Sequence, residues 1–380
     1  MRIAIDYTSA VNQTAGIGRF VRSLVEALVE VDATNEYVLL HAAPNPGREP
    51  RVPIGTRVSR RGLPISERWL NIIWHRARAP LAVDWLTGPV DIFHSPDFVL
   101  PPVHRARTIL TVHDLAFLLY PECADAALRA YLENTVPDSA RRADFIVADS
   151  DNTRRDVISL LGIDPERVAV VPGGVDPSFH PVDDPSRQRA LRARLGLGAD
   201  TPYILFVGVI EPRKNLVGLF EAFAILKSRR SLPHKLVVVG RKGWLWEETM
   251  ERAATSPFRQ DIVFPGFIPD GELATLYTAA ETFVFPSHYE GFGLPVLEAM
   301  ACGAPVVSSR ASSLPEVVGD AGMQVDPGDP EGLAAALELL ALNAELRADL
   351  RRRGLERAGQ FTWTAAARSL LDVYERVARA

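Results

Sequence analysis

A chain of 380 residues exceeds what one compact core usually supports, so two domains are expected. Hydrophobic residues at 47% and charged residues at 23% exclude a disordered or collagen-like chain, and a net charge of −5 gives no electrostatic footprint for nucleic acid. The two cysteines, Cys123 and Cys302, lie far apart without metal-ligand spacing, which argues against a disulfide framework or zinc site and fits a reducing compartment.

The opening "MRIAIDYTSA" reads as a first strand and not as a signal peptide, because no basic region precedes a long apolar run. No window reaches the roughly 18 uncharged apolar residues of a membrane-spanning helix. A cytoplasmic protein is expected. After the first strand, "NQTAGIGRFVRSLVEAL" places Gly16 and Gly18 ahead of an amphipathic helix marked by Phe20, Val21, Leu24, Val25 and Leu28. That loop could bring backbone amides to a phosphate, or be only a turn. It fails as a dinucleotide fingerprint, since Val21 stands in the third glycine's place, and no Walker-type phosphate loop occurs.

"EYVLLHA" is the next strand candidate. "RVSRRGLPISERWLNIIWHRAR", residues 57–78, is locally basic through Arg57, Arg60, Arg61, Arg68, Arg76 and Arg78, with Trp69, Ile72, Ile73 and Trp74 adding apolar surface. It could lie on an anionic membrane, or be a helix with a core face and a solvated basic side. "DIFHS", "TILTVHD", "DFIVADS" and "VAVVPGG" follow as strands. "TILTVHD" ends in His113 and Asp114, and a histidine there could hydrogen-bond substrate, carry a proton, or be a satisfied structural group.

The periodic pattern breaks in "PGGVDPSFHPVDDPSRQ", residues 172–188, dense in Pro, Gly and Asp. Beyond it, "YILFVGV", "KLVVVGR", "IVFPGF", "TFVFPS" and "APVVSS" are strands separated by helices. Runs this apolar suit parallel strands covered on both faces, so a doubly wound α/β sheet is expected twice. The expected division is 1–178 and 186–362, with a final helix over 363–380, beginning after Thr362 as a possible N-cap, that could belong to either domain.

The sharpest signal is "SHYEGFGLPVLEAMACGAPVV", residues 287–307. Ligands of open α/β sheets bind beyond the carboxyl ends of the strands, and this stretch leaves "TFVFPS" at that end. Gly291 and Gly293 let backbone approach a ligand, and Pro295 suits a first helical turn. Amides of residues 291–296 would then point with the helix dipole at an anion. Glu290 on the loop and Glu298 on the helix could each accept hydrogen bonds from vicinal hydroxyls. Hydroxyls at both ends with phosphates between describe a nucleotide-sugar; taken alone, the same pair reads as a helix cap beside a surface glutamate. "FVGVIEPRKNL" adds Arg213 and Lys214 after the second domain's first strand, where they could neutralise a diphosphate.

In that combination and order the chain resembles the retaining, GT-B-fold glycosyltransferases of family 4, over essentially its whole length. The most specific element is "EGFGLPVLE", Glu290 to Glu298, and "VGVIEPRKNL" and "GGVDPSFHP" resemble the branch of bacterial O-antigen mannosyltransferases. The resemblance implies two Rossmann-like domains facing a cleft, with the acceptor on the first and the donor on the second, and a C-terminal helix, 363–380, that crosses back to the first. It implies that Glu290 contacts the donor sugar's hydroxyls and Glu298 the ribose, and that the backbone of Gly291, Phe292, Gly293 and Leu294 surrounds sugar and phosphate. Arg213 and Lys214 then face the diphosphate, Gly16 and Gly18 approach it from the first domain, and His113 lies near the transferred sugar. Gly208 ends the strand where many members follow with arginine; here Val209 stands in that place.

The implied reaction moves a hexose, by resemblance mannose from GDP-mannose, to a hydroxyl of a saccharide or lipid-linked acceptor in cell-surface polysaccharide synthesis. dTDP-rhamnose and UDP-glucose remain alternative donors. No cofactor, no metal and no nucleic acid is expected, and membrane contact would be peripheral, at the inner face. Two other readings share these residues: a nucleotide-sugar 2-epimerase of the same fold, and a nucleotide-sugar-binding protein without catalysis.

Overall fold

The computed structural model describes residues 1–13, 16–47, 52–53, 55–77 and 79–379. The chain divides into two units: Met1–Leu118 with Ala127–Gly174 and Thr362–Ala380, and Leu119–Ala126 with Val175–Phe361. The second unit thus takes over at Val175, inside the 172–188 break but ahead of the expected start at 186. Phe179 explains this, since its ring is buried against Tyr277 of the second core, with ring centres 6.1 Å apart.

In the first unit the described strands are β1 (Arg2–Asp6), β2 (Glu36–Ala43), β3 (Val58–Ser66), β4 (Ile92–Ser95), β5 (Arg107–Val112), β6 (Phe145–Ala148) and β7 (Val168–Val170). They form one parallel sheet in the order β3-β2-β1-β4-β5-β6-β7. In the second unit they are β8 (Tyr203–Val207), β9 (Lys235–Val239), β10 (Ile262–Gly266), β11 (Thr282–Phe285), β12 (Val306–Ser309) and β13 (Met323–Val325). Their order is β10-β9-β8-β11-β12-β13, again parallel. The strand order therefore reverses between β1 and β4 in one sheet and between β8 and β11 in the other. At such switch points the loops leave in opposite directions and open a crevice.

The apolar runs become strands because helices cover both faces of each sheet; every residue of β4, β6, β11 and β12 is buried. The Ile17–Val31 helix buries Phe20, Val21, Leu24, Val25 and Leu28, the face its periodicity selects. The Leu216–Arg229 helix begins directly after the Arg213–Lys214 turn, with the Asn215 side chain accepting from Gly218 N–H at 3.2 Å. The Trp363–Arg379 helix belongs to the first unit. Thr362 Oγ1 caps it, Trp363 meets Phe20 edge-on at 5.2 Å, and Tyr374 Oη lies 2.8 Å from His94 Nδ1.

Two strands were not expected. β13 is only three residues long, too short for a periodic signal. β3 occupies the basic stretch, where a helix was one reading; only Glu67–Asn71 is α-helical, followed by one wider turn over Ile72–Arg76. β3 is an edge strand, and Arg60 and Arg61 on it are exposed, as charged residues on an edge commonly are. Trp74 is buried with its Nε1 donating to Leu81 O at 2.9 Å, whereas Trp69 is 59% exposed. Arg78 lies outside the described residues.

Candidate functional site

At the switch point of the second sheet, the loops leaving β8 and β11 meet through side chains. Lys214 Nζ donates to Glu290 Oε1 at 2.6 Å, and Arg213 Nη1 to Glu290 Oε2 at 3.0 Å. Arg213 also donates to Tyr289 O at 2.7 Å and to Glu211 Oε1 at 2.8 Å. Lys214 sits 5.1 Å from the centre of the Phe285 ring. Two cations thus face two carboxylates, so the cluster is balanced in charge. Arg213 keeps 15% of its side chain exposed and Lys214 10%, so the cationic edge remains reachable.

Burial alone would raise the Glu290 carboxyl, but Arg213 and Lys214 outweigh it and hold the group down at about 2. Glu290 is therefore an acceptor fixed in place and a poor base near neutral pH. The loop that carries it is clamped by the 312–313 turn. Glu290 N–H donates to Ser312 Oγ at 2.8 Å, and Ser313 Oγ donates to the carbonyls of Glu290 and Phe292 at 2.9 and 2.8 Å.

Gly293 caps the Leu294–Ala301 helix with φ +119°, and a Cβ there would come within 2.7 Å of Leu314. Any side chain would need both a disfavoured backbone and a collision. Pro295 lies in the first turn. The Phe292 ring belongs to the core, edge-on to Phe361 at 5.8 Å, so only its backbone is available to a ligand. Glu298 lies one helical turn on and is 4% exposed, and Tyr277 Oη donates to its Oε2 at 3.2 Å. Gly208 has a packing reason to be glycine. A Cβ there would press on the Phe206 ring at 3.1 Å, and the neighbouring Gly240 is held to glycine more strictly, since its Cβ would stand 1.7 Å from Gly208 O.

The first unit carries the remaining predicted residues. Gly18 is where the Ile17–Val31 helix passes the preceding turn: a Cβ would meet Gln13 O at 2.5 Å and Ser9 O at 2.6 Å. Gly16 caps that helix with φ +58° and has nothing within 4 Å of its Cβ direction.

His113 follows β5 and is 6% exposed. Its Nδ1 lies 2.7 Å from Asp149 Oδ2 and its Nε2 2.9 Å from Pro96 O. A carboxylate and a carbonyl only accept, so each ring nitrogen carries a proton and the ring is an imidazolium. Burial works against this charge, but Asp149 and then Asp97 raise the pKa to about 9. Phe20 and Phe98 meet the ring edge-on at 5.3 and 5.5 Å. The expected hydrogen bond or proton transfer to substrate has no free nitrogen to use here.

Beside it, after β4, stands Asp97, which the sequence reading passed over. Burial first, then Glu67 and Asp6 against the opposing charge of His113, push its carboxyl up to about 7. Glu211, Ser312 and Ser313 were missed as well. Glu211 was visible beside "PRK", but the serines act from a turn after β12 that no local pattern ties to Glu290.

Among the described residues, no group of three or more His, Cys, Asp or Glu is arranged to hold a metal ion. No helix among them is long and apolar enough to cross a membrane.

The chain matches two family models: "Glycosyltransferase Family 4" over residues 14–179 and "Glycosyl transferases group 1" over residues 187–357. It is 33% identical to the O-antigen chain mannosyltransferase B of Escherichia coli, over 95% of this chain and 96% of that protein. It is 31% identical to the E. coli serotype-specific mannosyltransferase WbdA over 71% of this chain but only 34% of that longer protein. Among solved structures, HepE from Anabaena in complex with UDP and glucose covers 99% of this chain and 100% of its own, with a TM-score of 0.75 at 19% identity, a likeness of fold. The chain belongs to the family 4 glycosyltransferases of GT-B fold.

Proposed function

We propose that the protein is a retaining mannosyltransferase that moves mannose from GDP-mannose to a hydroxyl of a saccharide or lipid-linked acceptor in the synthesis of a cell-surface polysaccharide. The observation that carries the donor reading is the sharing of Glu290 by Arg213 and Lys214 at the β8–β11 switch point, one helical turn from Glu298. Glu298 takes the ribose hydroxyls, Glu290 the sugar hydroxyls, and the cations and the helix N-terminus take the diphosphate. The choice of mannose rests on the similarity to the two E. coli mannosyltransferases.

In the reaction the bond from the sugar's C1 to the diphosphate oxygen breaks, and C1 joins the acceptor oxygen on the same face. Negative charge grows on the leaving diphosphate, where fixed cations and amides lower the barrier most. These cations supply the positive charge that a metal would otherwise bring, so transfer should not require one. Glu290, clamped by two cations and fully ionised, is a weak nucleophile and a weak base. That favours same-face attack, the departing phosphate accepting the acceptor's proton, over a covalent glycosyl-enzyme.

We place the acceptor on the first unit, near Asp97, and the protein at the inner face of the membrane, held by the exposed Trp69, Arg60, Arg61 and Arg68 of the 57–77 region.

A thermal-shift panel of GDP, UDP, dTDP and their sugars tests the donor. Stabilisation grows with ligand concentration over Kd, so GDP and GDP-mannose should raise Tm most. A larger shift with another base would overturn the choice of GDP.

A further inference from the structure

Apart from the ion-paired cluster, the second unit contains a cavity of about 370 Å³. Three separated stretches wall it: the 120–123 turn, Pro212 with residues 215–217 on either side of Arg213 and Lys214, and Leu245 with Glu248 and Thr249, joined by His288. Its size falls within the range of about 300–1,000 Å³ common for small-molecule sites. No Lys or Arg lines it.

The acidic groups that line it are both glutamates. Glu122 and Glu248 are exposed carboxylates with no ion pair among the described residues. Burial lowers the His288 pKa, so that ring stays neutral near pH 7. Two carboxylates without a cation repel phosphates, so the cavity is unsuited to a nucleotide or a sugar phosphate.

Thr249 is only 2% exposed, yet its hydroxyl makes no hydrogen bond to a described residue. That hydroxyl is not among the polar atoms sealed from solvent, so it opens onto the cavity it borders. The remaining wall is apolar, from Pro212, Leu216 and Val217, with the Tyr120 ring stacked on His288 at 6.2 Å and 19°.

Carboxylate acceptors together with an apolar, aromatic surface match the hydroxyls and the C–H face of a pyranose. We infer that this cavity is a second saccharide site, distinct from the donor cluster, that takes one neutral pyranose unit. Glu122 and Glu248 accept its hydroxyl hydrogens, Thr249 exchanges one hydrogen bond with it, and Tyr120 with Pro212 covers its C–H face. Pro212 and Asn215 bracket Arg213 and Lys214, so the cavity and the proposed donor cluster share one turn. The inference rests on a saccharide acceptor but not on the identity of the donor.

The test uses the full chain, with GDP added to saturate the donor site, and methyl α-mannopyranoside and a mannotriose as probes in saturation-transfer NMR and calorimetric titration. Saturable binding is expected, weakened about tenfold in the double variant Glu122→Gln, Glu248→Gln, with GDP affinity unchanged. Thr249→Val, nearly the same shape, should weaken the saccharide severalfold without a change in Tm.

Absence of saturable saccharide binding to the wild type would overturn the site. So would equal saccharide affinity in the folded double variant and in Thr249→Val, or binding of a diamine in preference to saccharide. Failure of GDP itself to bind would instead contradict the donor reading, so the two are separable.

Discussion

Beyond the carboxyl ends of β8 and β11, the second unit holds one carboxylate between two cations. Beyond those of β4 and β5, the first unit holds one imidazolium between a carboxylate and a carbonyl. Each group has its pKa moved well away from the ordinary value, Glu290 to about 2 and His113 to about 9. They differ in what is left over. Lys214 has three N–H donors and gives one to Glu290, while Arg213 stays partly exposed, so the cluster retains donors for a ligand. His113 has two N–H groups, and the protein accepts from both. A perturbed pKa marks a site candidate only together with unspent hydrogen-bonding capacity. By that standard the Glu290 cluster is the better candidate for the proposed donor site, while His113 donates to Pro96 O in the turn that carries Asp97.

Replacing Lys214 by Ala should break this comparison most visibly. Removal of one preorganised donor from a transferring charge commonly costs about 100- to 1,000-fold in rate. Kinetics with saturating donor should show the loss in kcat, while Tm records whether the now unbalanced Glu290 also destabilises the fold.

Asp149→Asn addresses the other half. Breaking a buried ion pair by removing one partner costs about 3–5 kcal/mol of stability, read as a lower denaturation midpoint. The pH dependence has a defined sign. Because the folded His113 pKa is raised, its stabilisation is fully present below the unfolded value near 6.5 and is lost as pH rises through about 9. Urea midpoints of the wild type should therefore fall over that window, and those of Asp149→Asn should fall less.

Glu290→Gln sharpens the donor side. Without the Glu290 carboxylate, Lys214 loses its acidic partner while Arg213 keeps Glu211, so the cluster gains net positive charge and GDP should bind as tightly or more tightly while transfer is lost. Titration with GDP alongside activity separates the two effects. Asp97→Asn should raise the KM for acceptor and leave GDP affinity unchanged; a changed GDP affinity would move Asp97 to the donor side. The smallest effect belongs to the 57–77 region. Arg60→Glu with Arg61→Glu should reduce sedimentation with anionic vesicles at low salt and leave kcat on a soluble acceptor unchanged.

Most strands could be read from the sequence because parallel strands buried on both faces make continuous apolar runs, such as "YILFV" and "KLVVV". β3 could not, because an edge strand needs no such run and carries "VSRRGLPIS" instead. Glu290, Glu298, Arg213 and Lys214 stood out because glycine, proline and charge cluster locally around strand ends. That they would serve one ligand was inferred from topology; the direct pairing of Lys214 with Glu290, 76 residues away in the chain, was not. What remained hidden were partners supplied across the fold: Ser312 and Ser313 on the Glu290 loop, Tyr277 on Glu298, and Asp149 with Pro96 on His113. The last of these changes the part His113 plays, since a residue type at a strand end does not reveal whether its nitrogens are already taken.

The central claim, one nucleoside diphosphate sugar held jointly by the 213–214 cations and the carboxylates at 290 and 298, is tested most directly by calorimetric titration of GDP and GDP-mannose into the wild type, Lys214→Ala and Glu298→Ala. Loss of a hydrogen bond to a charged group is worth about 1.5–3 kcal/mol, so each folded variant should bind GDP about 10- to 150-fold more weakly. Wild-type affinity for GDP in both variants would contradict it.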